Sequence, residues 1–579
     1  MAVLSRAGAR PRAADFPPQW MGPLLKAFIN WLRFTALAMS VSGVVIGLGW
    51  LVEQNAAGLL APAVDRAVAA ARQPVVLPAA ALAGGVLLAL AAMLTVRRGK
   101  TPVYLLDFEC YRPEDCNKVT YSRFVTGSKD SGFFDEESMD FQVRILNKSG
   151  LSEETFFPPG LHKDPPEFDM KWAREEAELV MFNAVKDLLA KTRLAPRDID
   201  VLVVNCSLFN PTPSLSAMII NHFGMRSNID SFNLGGMGCS AGIIAVDLAA
   251  KMLRERGHGG YALVVSTENI TQNWYHGNER SMLIPNTIFR MGSAAILLTS
   301  HAGERPRSKY ELQHVVRCHL GANDEAYKCV FQRPDDRQFI GVELDKNLVS
   351  VASKAMETNM TRLGPLVLPW SEKLVFAANW VARNVLRMRV ARYIPDFREA
   401  FDHFCLHAGG RGVVEGLSKQ LRLTQKQMAP SANTLHWYGN TSSSTVWYSF
   451  GFVESVQGVK RGDIVWQIGF GSGFKCNSVV WRALRPVKTM HKAWQHISGR
   501  EGQALEVLAR IAAETAAERQ QKENGQAANG AAANGVPQNG HDGKVNVSLQ
   551  ACKPSKQEEE EEEAARARGR VLRSGKVVA

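Results

Sequence analysis

The sequence predicts an α/β fold around a sheet covered by helices on both faces, and three observations carry the prediction. Continuous apolar runs of strand length, Asp198-Ile-Asp-Val-Leu-Val-Val-Asn-Cys206, Tyr261-Ala-Leu-Val-Val-Ser266 and Ala294-Ala-Ile-Leu-Leu-Thr299, alternate with longer helical patterns such as 170–189. Strands that are apolar on both faces need cover on both. A second strand–turn–helix series contains Phe401-Asp-His-Phe-Cys-Leu-His407 and Asp463-Ile-Val-Trp-Gln-Ile-Gly-Phe-Gly471. It predicts two similar halves, 101–300 and 301–487, although no repeat is visible in the letters. The third observation is that this block is flanked by segments of different composition.

The first of those segments sets where the chain resides. After residues 1–33 come two uncharged apolar spans, 34–52 and 75–96, within a 34–100 unit. Each matches the roughly 20 residues that cross a ~30 Å hydrocarbon layer, and Pro78 and Gly84-Gly85 are tolerable in a membrane helix. A short link makes the pair a transmembrane hairpin. Arg6, Arg10, Arg12, Lys26 and Arg33 precede it and Arg97, Arg98 and Lys100 follow, against Arg66 and Arg72 in the link. The excess of cations outside the link places both flanks in the cytosol. A cleaved signal peptide fits poorly, because the first span starts late and lacks a small-residue cleavage site. An organelle transit sequence or two buried core helices are the alternatives. Four glycosylation acceptor patterns, at Asn147, Asn269, Asn359 and Asn440, agree with a domain kept out of the lumen.

At the other end, 488–522 reads as a polar helical extension. The 523–579 tail, with Asn-Gly steps at 524, 529, 534 and 539 and glutamates from 558 to 563, reads as disordered: it cannot bury enough apolar surface to offset its ordering entropy. The net charge of +12 is not gathered into an aromatic-interleaved stripe, so nucleic acid is not the expected partner; a membrane surface or anionic thioesters account for it. The nine cysteines are scattered without CxxC or Cys/His ligand spacing, which excludes a structural zinc pattern and predicts reduced, mostly buried thiols.

Cys239 stands apart. It lies in Asn233-Leu-Gly-Gly-Met-Gly-Cys-Ser-Ala-Gly242, ahead of a helical pattern from Ile243. A glycine-rich turn allows close approach to a substrate, and unpaired N–H groups at a helix start favour a thiolate. The alternative is a core cysteine beside a tight turn. His407 ends an apolar strand before Ala-Gly-Gly, where the glycines leave room for the ring; a satisfied core histidine is the bland reading. His403 could share that strand face as a supporting residue, because strand side chains alternate with period two. Asn440, in Gly439-Asn-Thr-Ser-Ser-Ser444, is either a site donor or an N-cap. Gly469-Phe-Gly-Ser-Gly-Phe-Lys475 makes a turn, around Gly471, Ser472 and Gly473, whose backbone N–H could point into the same pocket or simply connect two strands.

These residues resemble the 3-ketoacyl-CoA synthases of the plant-type fatty acid elongase, a branch of the thiolase superfamily. The resemblance runs through Val103-Tyr-Leu-Leu-Asp-Phe, Ala173-Arg-Glu-Glu-Ala-Glu, the Cys239 segment, Ser266-Thr-Glu-Asn-Ile-Thr, Asn278-Glu-Arg-Ser-Met-Leu, His403-Phe-Cys-Leu-His-Ala-Gly-Gly-Arg, Gly439-Asn-Thr-Ser-Ser-Ser and Gly469-Phe-Gly-Ser-Gly-Phe-Lys-Cys-Asn. It implies a thiolase-like αβαβα fold of two halves, usually dimeric, anchored in the endoplasmic reticulum membrane. It also implies Cys239 as nucleophile with His407 and Asn440 as partners. Thr287 stands where the family pattern has cysteine, Ile288 where it has leucine and Gly412 where alanine is usual; none is expected to touch the catalytic set.

The implied reaction is a decarboxylating condensation. Cys239 takes the acyl group of a long-chain acyl-CoA, with the backbone N–H of Cys239 and Ser472 holding the oxyanion. Malonyl-CoA then loses CO2 with its enolate facing His407 and Asn440, and a 3-ketoacyl-CoA two carbons longer leaves. No metal or redox cofactor is expected. The elongase's ketoacyl-CoA reductase, hydroxyacyl-CoA dehydratase and enoyl-CoA reductase are the expected protein partners. A papain-like hydrolase uses the same three residue types but gives no reason for a second donor site. A type III polyketide synthase-like enzyme and an inactive elongase scaffold remain open alternatives.

Overall fold

The computed structural model describes residues 101–533 except His258. The two apolar spans and the tail beyond 533 lie outside those residues, and among the described residues no helix is long and apolar enough to cross a membrane. In chain order the strands are β1 (Tyr104–Cys110), β2 (Lys118–Val119), β3 (Thr155–Phe156), β4 (Val201–Asn205), β5 (Asp230–Leu234), β6 (Tyr261–Thr267), β7 (Ser293–Thr299), β8 (Tyr310–His319), β9 (Val330–Pro334), β10 (Ile340–Leu344), β11 (His403–Leu406), β12 (Ile464–Gly471) and β13 (Lys475–Ala483). Nine of them form one sheet ordered β11-β12-β13-β8-β1-β7-β6-β4-β5, while β2–β3 and β9–β10 are separate ribbons.

Strand direction reveals a duplication hidden in the letters. β4 is parallel to β6, which is antiparallel to β7, itself antiparallel to β1. In the same way β11 is parallel to β12, which is antiparallel to β13, itself antiparallel to β8. One four-strand unit therefore occurs twice, with β5 extending the first. The units join through two residue pairs, Tyr104↔Glu311 and Leu105↔Tyr310. The expected division near 300 falls between β7 and β8.

Helix contacts give the layers. Ala241–Glu255 packs on β4 and β6 and also reaches β8 and β13; Thr445–Phe452 packs on β11 and β12 and also reaches β1. Both thus lie between the two units; Ala241–Glu255 is buried through its first seven residues and carries exposed charges, Lys251 and Glu255, toward its end. Every residue of Thr445–Phe452 is buried. The outer layers are Met170–Thr192 on β1, β6 and β7, and Leu348–Val367 on β8 and β13. The order is helix, strand, helix, strand, helix. Between the layers Phe108 sits 5.3 Å from the Trp447 ring and 5.1 Å from that of Phe450; removing such a ring costs about 3–5 kcal/mol.

The core also holds a cluster of charges. Lys309 Nζ lies 2.6 Å from Glu454 Oε2 and 2.7 Å from Asp107 Oδ1. Lys191 bridges Asp107 and Glu109 at 3.1 and 2.9 Å, and His491 Nε2 meets Glu454 Oε2 at 2.7 Å. Desolvation alone would raise both glutamates. Lys309 and His491 nevertheless pull Glu454 down to about 2, and His491 and Lys191 do the same for Glu109.

Two expectations change. The extension expected to end at 522 continues as helix Gln503–Ala533. Its alanines carry it through Asn524-Gly525 and Asn529-Gly530, where each glycine costs about 1 kcal/mol relative to alanine. The chain divides into units 1–513 and 514–579, and of the second unit only the continuation of this helix is described. Three of the glycosylation patterns also prove to lie inside the fold rather than on an open surface. Asn269, Asn359 and Asn440 are buried, so their side chains are inaccessible in the folded domain wherever it resides.

Candidate active site

Cys239 follows β5 and precedes helix Ala241–Glu255, at the edge of the central layer. Gly238 adopts φ +69° there, and an added Cβ would fall 2.4 Å from Ser472 N. A Cβ on Gly471 would fall 2.7 Å from Ser240 Oγ and 2.8 Å from Met237 O. The absence of side chains on both glycines lets the Gly471–Gly473 turn press directly against the Met237–Ser240 backbone. Gly473 itself has φ +91°, a conformation that favours glycine. Ser472 is thus brought against the nucleophile turn from β12, 233 residues farther along the chain.

The thiol contradicts one expectation. The residue keeps partial exposure, yet its surroundings push the thiol up to about 12. Desolvation is the largest cause, and the Glu268 carboxylate adds to it, while a hydrogen bond with Ser442 opposes it. The helix start does not reverse this, since its N–H effect fades within a turn and burial penalises the charged form directly. Cys239 at rest is a neutral thiol.

His407 follows β11, its N–H bound to Ile468 O on β12 at 2.9 Å. The ring is buried, and desolvation lowers it to about 4. Its Nδ1 lies 2.6 Å from Thr445 Oγ1, and Thr445 Oγ1 donates its hydrogen to Ser442 O at 2.9 Å. A hydroxyl has one hydrogen, so Nδ1–H must be the donor to Thr445. That leaves Nε2 with a free lone pair. The Nε2 edge faces Gly409, where a Cβ would lie 2.9 Å away.

Asn440 is equally constrained. Its Oδ1 accepts Ser442 N at 2.8 Å, which fixes the amide orientation, and Nδ2 donates one hydrogen to Gly409 O at 3.2 Å. The second Nδ2 hydrogen is available. Oδ1 bonds the N–H two residues on, so the capping alternative survives locally as an Asx turn. The Asn440 backbone is clamped by Ile288 O and Arg290 N, each at 3.0 Å. Ile288 therefore does touch the set, contrary to expectation, through a carbonyl that any residue would supply.

His403 is corrected as well. Its ring meets Asp463 Oδ2 at 3.0 Å and Gln457 Oε1 at 3.3 Å. It lies four positions from His407 along the chain, about 13 Å at strand spacing, and its partners serve the opposite end of β11.

The segment Asn440–Thr445 unites the site. Asn440 supplies an amide, Ser442 reaches Cys239 and Thr445 orients His407. Ser442 has φ +55°, uncommon for serine and a sign of a backbone held by its surroundings. Its hydroxyl donates to Glu268 Oε2 at 3.0 Å. Glu268 was not singled out from the sequence, although it lies in the quoted Ser266–Thr271 segment. It is buried, accepts the N–H groups of Ser207 and Leu208 at 3.1 and 3.0 Å, and is raised by desolvation. Beside it Glu176, pushed up to about 7 by burial, accepts Ile270 N and Thr271 N at 3.0 and 2.8 Å. Among the described residues no group of three or more His, Cys, Asp or Glu side chains is placed to hold a metal ion.

Comparison with known proteins agrees with this geometry. The FAE1/Type III polyketide synthase-like protein family matches residues 94–385, and the 3-oxoacyl-[acyl-carrier-protein] synthase III C-terminal family matches 398–483. The chain is 54% identical over 395 residues to 3-ketoacyl-CoA synthase 4 of Arabidopsis thaliana, covering 68% of this chain and 76% of the relative. It is also 54% identical over 386 residues to 3-ketoacyl-CoA synthase 11 of the same plant, covering 67% and 76%. A type III pentaketide synthase from Neurospora crassa superposes with a TM-score of 0.51 at 18% identity, covering 66% of this chain and 99% of that one. That likeness shows the fold: a type III polyketide synthase-like α/β architecture.

Proposed function

The chain belongs to the 3-ketoacyl-CoA synthase family, and from that premise we propose the following reaction and setting for this condensing acyltransferase. A long-chain acyl-CoA acylates Cys239, and malonyl-CoA then extends the acyl group by two carbons toward very-long-chain products. The observation that carries the assignment is the single segment Asn440–Thr445, which ties a nucleophile, a base and an amide donor together.

In the first half-reaction the Cys239 sulfur attacks the thioester carbon. Its pKa of about 12 means the proton leaves as the bond forms, and His407 Nε2 is the neutral acceptor. The proton passes to the departing CoA sulfur, so the acyl group and one hydrogen change places between the two thiols. The N–H groups of Cys239 and Ser472 receive the oxyanion, each such donor supplying about 2.7–4 kcal/mol. In the second half-reaction malonyl-CoA loses CO2, and the free Nδ2 hydrogen of Asn440 meets the enolate oxygen. This half consumes one proton. His407, once protonated beside the bound malonyl carboxylate, donates to the same oxygen and then to the Cys239 sulfur as the carbon–carbon bond forms. The residues themselves complete both halves, and loss of CO2 drives the condensation without a redox group.

The apolar spans at 34–52 and 75–96 act in this reading as a hairpin anchor in the endoplasmic reticulum membrane, with the catalytic body cytosolic. A homodimer working beside ketoacyl-CoA reductase, hydroxyacyl-CoA dehydratase and enoyl-CoA reductase fits the product's chemistry, since a 3-ketone must be reduced, dehydrated and reduced again. The test is to supply the membrane-bound full chain with labelled malonyl-CoA and acyl-CoAs of graded length. Cys239-dependent 3-ketoacyl product two carbons longer than its primer supports the reading. Repeated condensation or cyclised product would replace it with the polyketide synthase alternative, and folded protein without any product would favour the scaffold.

A further inference from the structure

Helix Trp370–Asn384 is amphipathic in the reverse sense. No residue of it is buried. With 3.6 residues per turn, Trp370, Leu374, Ala377 and Val381, and Val385 just beyond the helix, fall within an arc of about 80°, while Glu372 and Asn379 lie on the opposite side. That polar side is turned toward the following segment, 391–396. Glu372 Oε2 accepts Tyr393 Oη and Asp396 N at 2.7 and 2.9 Å, and Asn379 binds Tyr393 N and Ala391 O at 3.0 and 2.9 Å. The apolar side is left in solvent: Trp370 is 76% exposed, Leu374 64% and Leu386 63%. Val381, Val385, Met388 and Ile394 continue the exposed apolar surface.

Charge identifies what covers it. Between 373 and 395 the chain carries Lys373, Arg383, Arg387, Arg389 and Arg392 and no aspartate or glutamate. Lys373 Nζ sits 5.1 Å from the Trp370 ring centroid, pairing an aromatic body with a cation, as interfacial anchors do. A second copy of this face is a poor occupant, because a two-fold contact would set these cations against themselves. The helix has 15 residues, about 22 Å at 1.5 Å each, too short to span ~30 Å of hydrocarbon but suited to lying in the interface plane.

We propose that the face formed by Trp370–Asn384 and the following arginines lies on an anionic lipid surface, its apolar stripe in the acyl-chain boundary and its arginines at the headgroups. The contact does not depend on the N-terminal hairpin. It would hold the catalytic body against the phase into which long acyl chains partition.

The test uses the full chain in vesicles carrying a phospholipid with a photoactivatable acyl chain, in phosphatidylcholine alone or with an equal part of phosphatidylserine. Expected are lipid adducts within 370–390, several-fold more abundant with phosphatidylserine and reduced by salt, while adducts within 34–96 report the hairpin separately. Leu374→Glu with Val381→Glu should abolish the 370–390 adducts and leave turnover of micellar acyl-CoA unchanged. An unlabelled 370–390 segment in wild-type chain would overturn the proposal, whatever the 34–96 segment shows. So would adducts that survive the double substitution, or concentration-dependent cross-links between two copies through this segment in place of lipid adducts.

Discussion

Two groups of ionisable side chains are buried in this molecule, and burial has opposite consequences for them. Around Lys309 every acid has a base within about one hydrogen bond, and Glu109 and Glu454 are held to about 2. Around Ser442 the groups lack opposite charges: the Cys239 thiol is pushed up to about 12, His407 down to about 4 and Glu268 upward. The first cluster keeps its charges and joins strands and helices of both units. In the second, burial works against the charged form of every member. The difference is one of partners rather than depth, since desolvation is the largest influence in both.

The comparison breaks first at Cys239. Cys239→Ala should eliminate condensation while the melting transition stays in place, measured by product formation and thermal unfolding on one preparation. Lys309→Met should do the reverse. It removes the cation that Glu454 and Asp107 share, leaving them only His491 and Lys191, and should destabilise the fold by about 3–5 kcal/mol, read from denaturant unfolding, with the remaining folded enzyme still forming product. Asn440→Ala should lose about 2.7–4 kcal/mol of transition-state stabilisation, roughly 10²–10³ in rate, in malonyl-CoA decarboxylation. Acyl transfer to Cys239 should persist, as seen by trapping labelled acyl-enzyme.

Titration sharpens the contrast. His407 is depressed below its unfolded value, so its share of stability is complete above about 6.5 and is lost as pH falls toward 4. Glu109 and Glu454 are depressed acids, whose share is present above about 4.5 and lost as pH falls toward 2. Unfolding free energy followed against pH should show the histidine window first, and His407→Gln should lessen its slope without removing it, because His496 is also lowered to about 4. The smallest effect is expected at Glu268. Glu268→Gln removes a carboxylate that raises the thiol, so iodoacetamide alkylation of Cys239 should quicken by less than about tenfold at fixed pH. In the wild-type protein that rate should climb through pH 9 without a plateau.

Much of this was legible locally. The apolar runs become β4, β6 and β7, the glycine turn does lead from β5 into a buried helix, and His407 and Asn440 are drawn to the segment that reaches Cys239. What was not legible depends on partners distant in sequence. His403 shares a strand with His407 but belongs to Asp463. Thiolate was expected from the helix start alone, whereas Glu268 and the enclosing core set the opposite direction. Lys309, Glu454 and His491 look like surface charges until the fold closes on them. The 370–385 stripe has the spacing of an ordinary core helix, and only the contacts of Glu372 and Asn379 show that it is turned outward. The duplication is likewise written in strand direction rather than in side chains.

The buried acceptor asparagines have a consequence for biogenesis. A glycan is attached while a chain is still extended, before Asn359 has found Val316 O and Cys476 O or Asn440 has closed on Gly409. A copy threaded into a glycosylating compartment would carry a bulky polar graft at positions that later have no room for it, and could neither close its layers nor complete its pocket. Misrouting would therefore silence the protein by itself, with no dedicated inhibitor. A chain given a cleavable secretion signal in place of residues 1–100 should be recovered glycosylated, protease-sensitive and without condensing activity, and blocking glycan attachment during synthesis should restore part of it.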